Sequence, residues 1–388
     1  LGGSLIVSAD SKLGDAAGSV TINGGTLEFS GDLSSTRGYT IGASGGTINT
    51  GTYTDTITGI IGGTGQFNKT GTGTLILGGD NTFTGNLHVN AGTLQISDNS
   101  NLGNPDSHLY VNAATLKFGD DFTMTHDLTL GGTGATIDVG ADGSNTISGV
   151  IDGSKLTKTG GGTLLLEGTN NYTGDTEIDG GVLAVIRDVN FGASVNPGSI
   201  IIGNATLRLD EDFTTARNIH LTDANSTIDV VDDGFNMLDG VLSGTGALNK
   251  SGTGTLVLGG TNTYEGGTDI KSGILQISKD GNLGKSDGGV QIATDAELQF
   301  SDAVTSSRNI TLGTTGSIID TVKDTSTLSG VISGGELHKT GAGTLVLSGT
   351  NTYDGGTFLG GGVIQVSADG NLGKSTGALT FDGGTLQL

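Results

Sequence analysis

The chain has 388 residues, of which 74 are glycine, two are proline and 33% are apolar, and it contains no cysteine. That composition is too apolar and too regularly patterned for a disordered chain and too rich in glycine for long helices, and it lacks the triplet period of collagen. The absence of cysteine excludes disulfides and thiolate metal sites, and 40 acidic against 17 basic residues leave a net charge of −23 that repels nucleic-acid phosphates and anionic lipid.

In chain order, the first segment, LIVSADSKLGDAAGSVTINGGTLEF from Leu5, aligns with LQISDNSNLGNPDSHLYVNAATLKF from Leu94. It has neither the positive start nor the apolar core of a secretion signal, and no run of 18 apolar residues follows anywhere, so direct membrane insertion by this piece is not expected. The stretch KTGTGTLILGGDNTFTG then begins at Lys69 and returns as KTGGGTLLLEGTNNYTG at Lys158, KSGTGTLVLGGTNTYEG at Lys250 and KTGAGTLVLSGTNTYDG at Lys339. These starts lie 89, 92 and 89 residues apart, and a Leu-x-Ile/Val step recurs at Leu5, Leu94, Leu183, Leu275 and Ile364. A period sustained over the chain describes one unit stacked on itself. The expectation is a single continuous array over 1–388, with modules starting near 69, 158, 250 and 339 and partial modules at both ends.

Within one period, apolar pairs lead at Leu75, Leu94, Leu116, Ile137 and Leu164, which makes four sub-units averaging about 22 residues. Period-2 pairs such as Leu109-x-Val111, Leu128-x-Leu130, Ile219-x-Leu221 and Val290-x-Ile292 predict strands. A sub-unit of this length suits one turn of a parallel β-helix, with three short strands, three corners and an all-β core of Leu, Ile and Val. About four turns per period then advance roughly 19 Å, at ~4.8 Å between strands. The glycines suit corners that need positive φ. Pro105 and Pro197 share one corner type, and NFGASVNPGS replaces NLGNPDS in the second period as a small insertion.

The succession Lys-x-Gly-x-Gly-Thr-Leu-x-Leu, Asn-x-Tyr/Phe-x-Gly and Gly-x-Leu-x-Ile/Val resembles the autotransporter-associated β-strand repeat, also called the passenger-associated transport repeat, in four full copies with flanking partial ones. The resemblance implies a right-handed parallel β-helix in the secreted passenger of a bacterial type V secretion protein. It also implies a parent with a secretion signal and an outer-membrane β-barrel, a cell-surface or extracellular location, and a role in efficient export.

Equivalent positions in the other periods serve as internal controls for candidate sites. His88 stands where Glu177, Asp269 and Phe358 stand, and His338 where Asn68, Thr157 and Asn249 stand, so both read as outward and unconstrained. The G-x-S-x-G matches at Ser44, Ser286 and Ser375 lack the helix that a nucleophile elbow needs. The GNLGKS and GNLGKST stretches fail as phosphate loops, because Lys279 and Ala368 occupy the required first glycine. GGTGATIDV from Gly131 has Thr136 where a calcium repeat needs aspartate.

The acidic corners at Asp32, Asp120 and Asp121, Asp210 to Asp212, and Asp302 read as solvated carboxylates, with calcium the competing reading. Arg37, His126, Arg217 and Arg308 follow them as cross-corner partners of exposed pairs. Lys69, Lys158, Lys250 and Lys339 read as turn packing or edge protection rather than a ligand-binding comb. Asn81, Asn170, Asn262 and Asn351 read as Asx-turn residues, and Phe83, Tyr172, Tyr264 and Tyr353 as corner packing. No catalytic, cofactor-binding or metal residue is assigned.

The leading function is a non-catalytic extracellular scaffold or adhesin-type passenger with no cofactor, binding itself or host glycans or proteins. The alternative is a carbohydrate-active β-helix of the polysaccharide-lyase kind, for which only the 188–199 corner and the Asp229, Asp232, Asp233 patch depart from the repeat. An ice-binding β-helix needs threonines on successive turns, whereas Thr-Asn-Thr at Thr261 and Thr350 recurs once per period.

Overall fold

The computed structural model describes residues 2–195, 197–231 and 234–388. Asp232 and Asp233 of the acidic patch, and Asn196 of the irregular corner, lie outside the described residues. Strands of two to five residues and five short 3-10 turns alternate along the chain, with no α-helix among the described residues. All the described strand pairs are parallel, and the architecture is a parallel β-solenoid divided into two compact units, 1–198 and 199–388.

In the first unit, four ladders form because each strand hydrogen-bonds to the strand one turn away. One ladder runs through Thr26–Phe29, Gly46–Asn49, Phe67–Thr70, Leu87–Val89, Leu109–Val111, Leu128–Leu130 and Ile151–Gly153. A second runs from Leu33–Ser35 through Thr54–Ile57, Thr74–Leu77, Thr93–Ile96, Thr115–Phe118, Ala135–Val139 and Leu156–Thr159 to Thr176–Ile178. The fourth runs from Thr123–Met124 through Ser144–Ile147 and Thr163–Leu166 to Val182–Val185, and the third begins with Val20–Ile22, Tyr39–Ile41 and Ile61–Gly63, then loses strand form. Thr82 and Thr84 still donate to the carbonyls of Ile61 and Gly63, and Asn104 to that of Phe83, so the corner segments keep the stacking. Most strands alternate buried and outward residues, as in Thr74–Leu77, where Leu75 and Leu77 face inward. Ile57, Leu77, Ile96, Phe118 and Val139 accordingly form one buried column through five turns.

The expected four turns per period falls short by a third of a turn. Thr26 reaches Thr47, Asn68, His88 and Tyr110 in four steps along its ladder. Its equivalent one period later, Thr115, lies on the next ladder, paired with Thr93 and Thr136. In the second unit Thr206 likewise reaches Gln291 in four steps through Thr227, Asn249 and Asp269, while its equivalent Glu297 pairs with Ile274 and Ile318 on another ladder. These two periods therefore each span four and a third turns, and equivalent residues one period apart in them face different sides.

A second correction concerns threonine. Thr54, Thr74, Thr93, Thr115, Thr136 and Thr157 are in register on six successive turns and point outward. The neighbouring outward column reads Thr56, Ile76, Gln95, Lys117, Asp138 and Thr159, so the threonines form a single file rather than a flat two-column array. Glycine is obligatory where turns crowd. At Gly153, with φ of +97°, a Cβ would lie 2.1 Å from the carbonyl oxygen of Leu130.

Candidate functional site

The four recurring lysines face the core and are fully buried. Lys158 Nζ donates to the carbonyls of Thr159, Gly160 and Gly180 at 2.8, 3.0 and 3.1 Å. Lys250 does the same with Ser251, Gly252 and Ser272 at 2.7, 2.8 and 3.1 Å. Lys69 uses Thr70 and Gly71 carbonyls and Thr50 Oγ1, and Lys339 uses the carbonyls of Thr340, Gly341 and Gly361. Three N–H donors thus meet three acceptors at a glycine corner. Burial pushes each lysine down to about 8. Turn packing is the role; edge protection and a surface comb are both ruled out by burial.

The asparagines work across turns and not as local Asx turns. Asn81 Oδ1 accepts from Ile61 N at 2.8 Å and its Nδ2 donates to Asn101 O at 2.6 Å, joining the turns before and after its own. Asn170, Asn262 and Asn351 repeat this between Ile151 and Asn190, Leu242 and Asn282, and Ile332 and Asn371. A second set escaped the sequence reading although the NLG and NFG steps contain it. Asn101, Asn190, Asn282 and Asn371 are buried at the 3-10 turns. Each accepts two backbone N–H groups and donates to the carbonyl of Gly79, Gly168, Gly260 or Gly349.

The aromatics pack in the corners as expected. Tyr172, Tyr264 and Tyr353 are buried and their hydroxyls bond Thr176, Thr268 and Thr357 at 2.7, 2.7 and 2.8 Å. In the first period Phe83 has no hydroxyl, and the threonine four residues on is replaced by Leu87.

Arg37 and Arg308 do not pair with the acidic corners before them. Arg37 is buried and reaches back a full turn to the 3-10 corner at Asp10–Leu13. Its Nε meets Asp10 Oδ1 at 2.8 Å, and its Nη atoms donate to the carbonyls of Asp15, Gly14 and Gly18. Arg308 repeats this with Asp280, at 2.9 Å, and the carbonyls of Lys285, Gly284 and Gly288. In the second copy of the motif His126 bonds Asn99 Oδ1 and Asn104 O at 3.0 and 3.1 Å, and burial pushes its imidazole pKa down, favouring the neutral ring. Arg217 is buried at the equivalent place.

The acidic corners use carboxylates as caps for the next turn. Asp32, Asp121 and Asp212 accept from the backbone N–H of Thr54, Ser144 and Phe235 at 2.9, 2.7 and 2.7 Å. No group of three or more His, Asp or Glu residues is placed to share a metal ion among the described residues. Ser44, Ser286 and Ser375 are exposed, with no α-helix after them, and Thr136 belongs to the threonine file.

His88 and His338 are outward but not unconstrained. His88 stacks on Tyr110 at 4.3 Å, and His338 stacks on Phe358 at 4.7 Å. Both lie on the outward shelf where the residues differ from period to period, and His338 Nε2 lies 2.8 Å from Glu336 Oε2. The 188–199 corner contains a 3-10 turn, Asp188–Phe191, and the exposed Val195.

Fold and site together define a repeat solenoid whose recurrent polar residues are spent on holding turns to turns. The passenger-associated-transport-repeat family model matches residues 67–96, 156–185, 248–277 and 337–366, and the chain belongs to this family of autotransporter passenger repeats. It is 35% identical over 421 aligned positions to the adhesin BmaC autotransporter of Brucella suis biovar 1 (strain 1330), covering 98% of this chain and 12% of that protein. It is 27% identical over 346 positions to the probable autotransporter YfaL of Escherichia coli (strain K12), covering 72% of this chain and 27% of that protein. No solved structure matches the chain significantly. The chain thus spans a small part of the curated relatives it matches, and its place as passenger is at the cell surface or outside the cell.

Proposed function

We propose that the chain is a non-catalytic stretch of an adhesin-type passenger that displays variable outward shelves on an invariant core, within a parent carrying an outer-membrane β-barrel. The observation that carries this reading is the division of labour between positions. The buried lysine, both asparagine sets and the corner aromatic recur in every full period with the same internal roles, whereas the outward residues at the His88 position change from His to Glu, Asp and Phe. One of the relatives is itself named an adhesin. Parallel ladders in which each turn templates the next suit folding that proceeds from one end during export. The unbroken period supports treating residues 1–388 as one passenger fragment.

The test is display of the chain on bacteria lacking other adhesins, scored for attachment to matrix-protein and glycan-coated surfaces. Attachment above the empty display control is expected. Release of new reducing ends or unsaturated products from a polysaccharide panel by the purified chain would overturn the non-catalytic reading in favour of a lyase-like one.

A further inference from the structure

In the third period, the strands Leu248–Ser251, Thr268–Ile270, Val290–Ile292 and Ile310–Leu312 lie in one ladder, with Asn249, Asp269, Gln291 and Thr311 in register on its outer side. A groove of about 480 Å³ runs across these turns, with Gly266, Gly267 and Gly289 among its lining residues. Gly267 has φ of +82° and a Cβ there would lie 2.9 Å from Gly289 O, so the floor is held open by backbone.

The other periods show what the same shelf looks like when closed. In the first, His108 stands in place of Gly289 and its Nε2 bonds Thr129 Oγ1 at 2.6 Å, His88 stacks on Tyr110, and Asn112 bonds Asn90 at 2.9 Å. In the second, Lys155 pairs with Glu177, which also accepts from Thr157. In the fourth, His338 stacks on Phe358. In the third, the side chains of Asp269, Lys271 and Gln291 have no hydrogen-bond partner among the described residues, though all three line the groove. Burial pushes the Asp269 carboxyl up, opposed by the neighbouring Lys271. Unused donors and acceptors around a concavity are the ordinary make-up of a polar ligand site.

We infer that this groove binds a segment of a neutral, hydroxyl-rich glycan. Polar groups recur once per turn, at the ~4.8 Å strand spacing, so successive hydroxyls of an extended sugar chain lying across the turns meet alternating carboxylate, amide and ammonium groups. Asp269 and Lys271 cancel within the groove, while the chain's net charge of −23 disfavours a polyanionic glycan. A peptide is the poorer occupant. Both edges of every strand in this stretch of the ladder are already hydrogen-bonded to adjacent turns, which leaves no edge for strand addition, and glycine backbone offers no apolar pocket for an anchor. The assignment rests on the reading of the chain as a displayed binding segment and supplies its ligand class.

The test applies the purified chain to immobilised neutral gluco-, manno-, galacto- and N-acetylhexosamine oligosaccharides, with sulfated and uronate counterparts as a second arm. Gly289→His copies the first period's own closed shelf, and its Cβ meets nothing closer than Asn309 O at 3.6 Å, so the fold is expected to survive. Binding to at least one neutral series is expected, reduced tenfold or more by Gly289→His and by Gln291→Ala with unchanged circular dichroism and melting temperature. Absence of neutral-glycan binding, binding that survives both variants, or preference for the anionic arm overturns the assignment. Displayed cells that still attach when carrying Gly289→His, without glycan binding by the purified chain, would sink the groove and leave the display reading standing.

Discussion

Asp55 offers the sharpest test of the internal architecture. It faces inward with 0% exposure, its Oδ1 accepts from Leu33 N at 3.0 Å, and its Oδ2 is buried with no partner. At the equivalent place in later periods stand Asn145, Asn236 and Ser326, which donate to the corner carbonyls of Asp120, Glu211 and Asp302. Aspartate lacks that donor unless it is protonated. Burial, reinforced by the nearby Asp32 charge and opposed by the Leu33 N–H and Lys69, pushes its pKa from 3.8 up to about 6. Because the folded-state pKa is raised, this group's stabilising contribution is full below about pH 4 and is lost as pH rises through about 6. Asp55→Asn supplies the missing donor and removes the buried charge. At pH 7.5 it should stabilise the fold by about 1–3 kcal/mol, the cost of one unsatisfied buried polar group, and the gain should shrink towards zero at pH 4. Guanidinium unfolding followed by circular dichroism at both pH values measures this. A variant less stable than the parent at pH 7.5, or a gain equal at the two pH values, would refute the reasoning.

Three further outcomes follow from the same geometry. Lys158→Met leaves the carbonyls of Thr159, Gly160 and Gly180 without their donor; allowing for the relieved ammonium burial, it should destabilise by roughly 2–4 kcal/mol in denaturant titration. Tyr264→Phe orphans Thr268 Oγ1 and should cost about 1 kcal/mol, and adding Thr268→Leu, the Phe83 and Leu87 pairing of the first period, should recover most of it in a double-mutant cycle. Lateral clustering of a chain with net charge −23 should rise with divalent cations or salt, and light scattering that stays flat through such a titration counts against self-association.

Much of the architecture was legible without coordinates because the signals are local. Alternation in Thr-Leu-x-Leu reports inside against outside, glycine reports the corners, and the 89-residue return reports the repeat. Inward Leu256 and the corner tyrosines sit where that alternation puts them. The cross-turn partners were not legible in the same way. Turns vary from 19 to 23 residues along one ladder, from Leu109 to Leu128 and from Leu128 to Ile151, so which residue stacks on which depends on the hydrogen-bond register and not on a fixed count.

The sequence by itself determined the repeat, its β character, its family and the residues that every period shares, since each of these is written in spacing that one strand or one corner can enforce. The tertiary structure alone decided that Lys69 and its equivalents point inward onto carbonyls, that Arg37 answers Asp10 a full turn earlier, and that the period from Thr26 to Thr115 closes after four and a third turns. It also decided that the third period leaves its shelf open while the first fills it. The physical reason is that a solenoid turn satisfies its polar groups on the turns above and below, about 20 residues away, and only the stacked register states which groups those are.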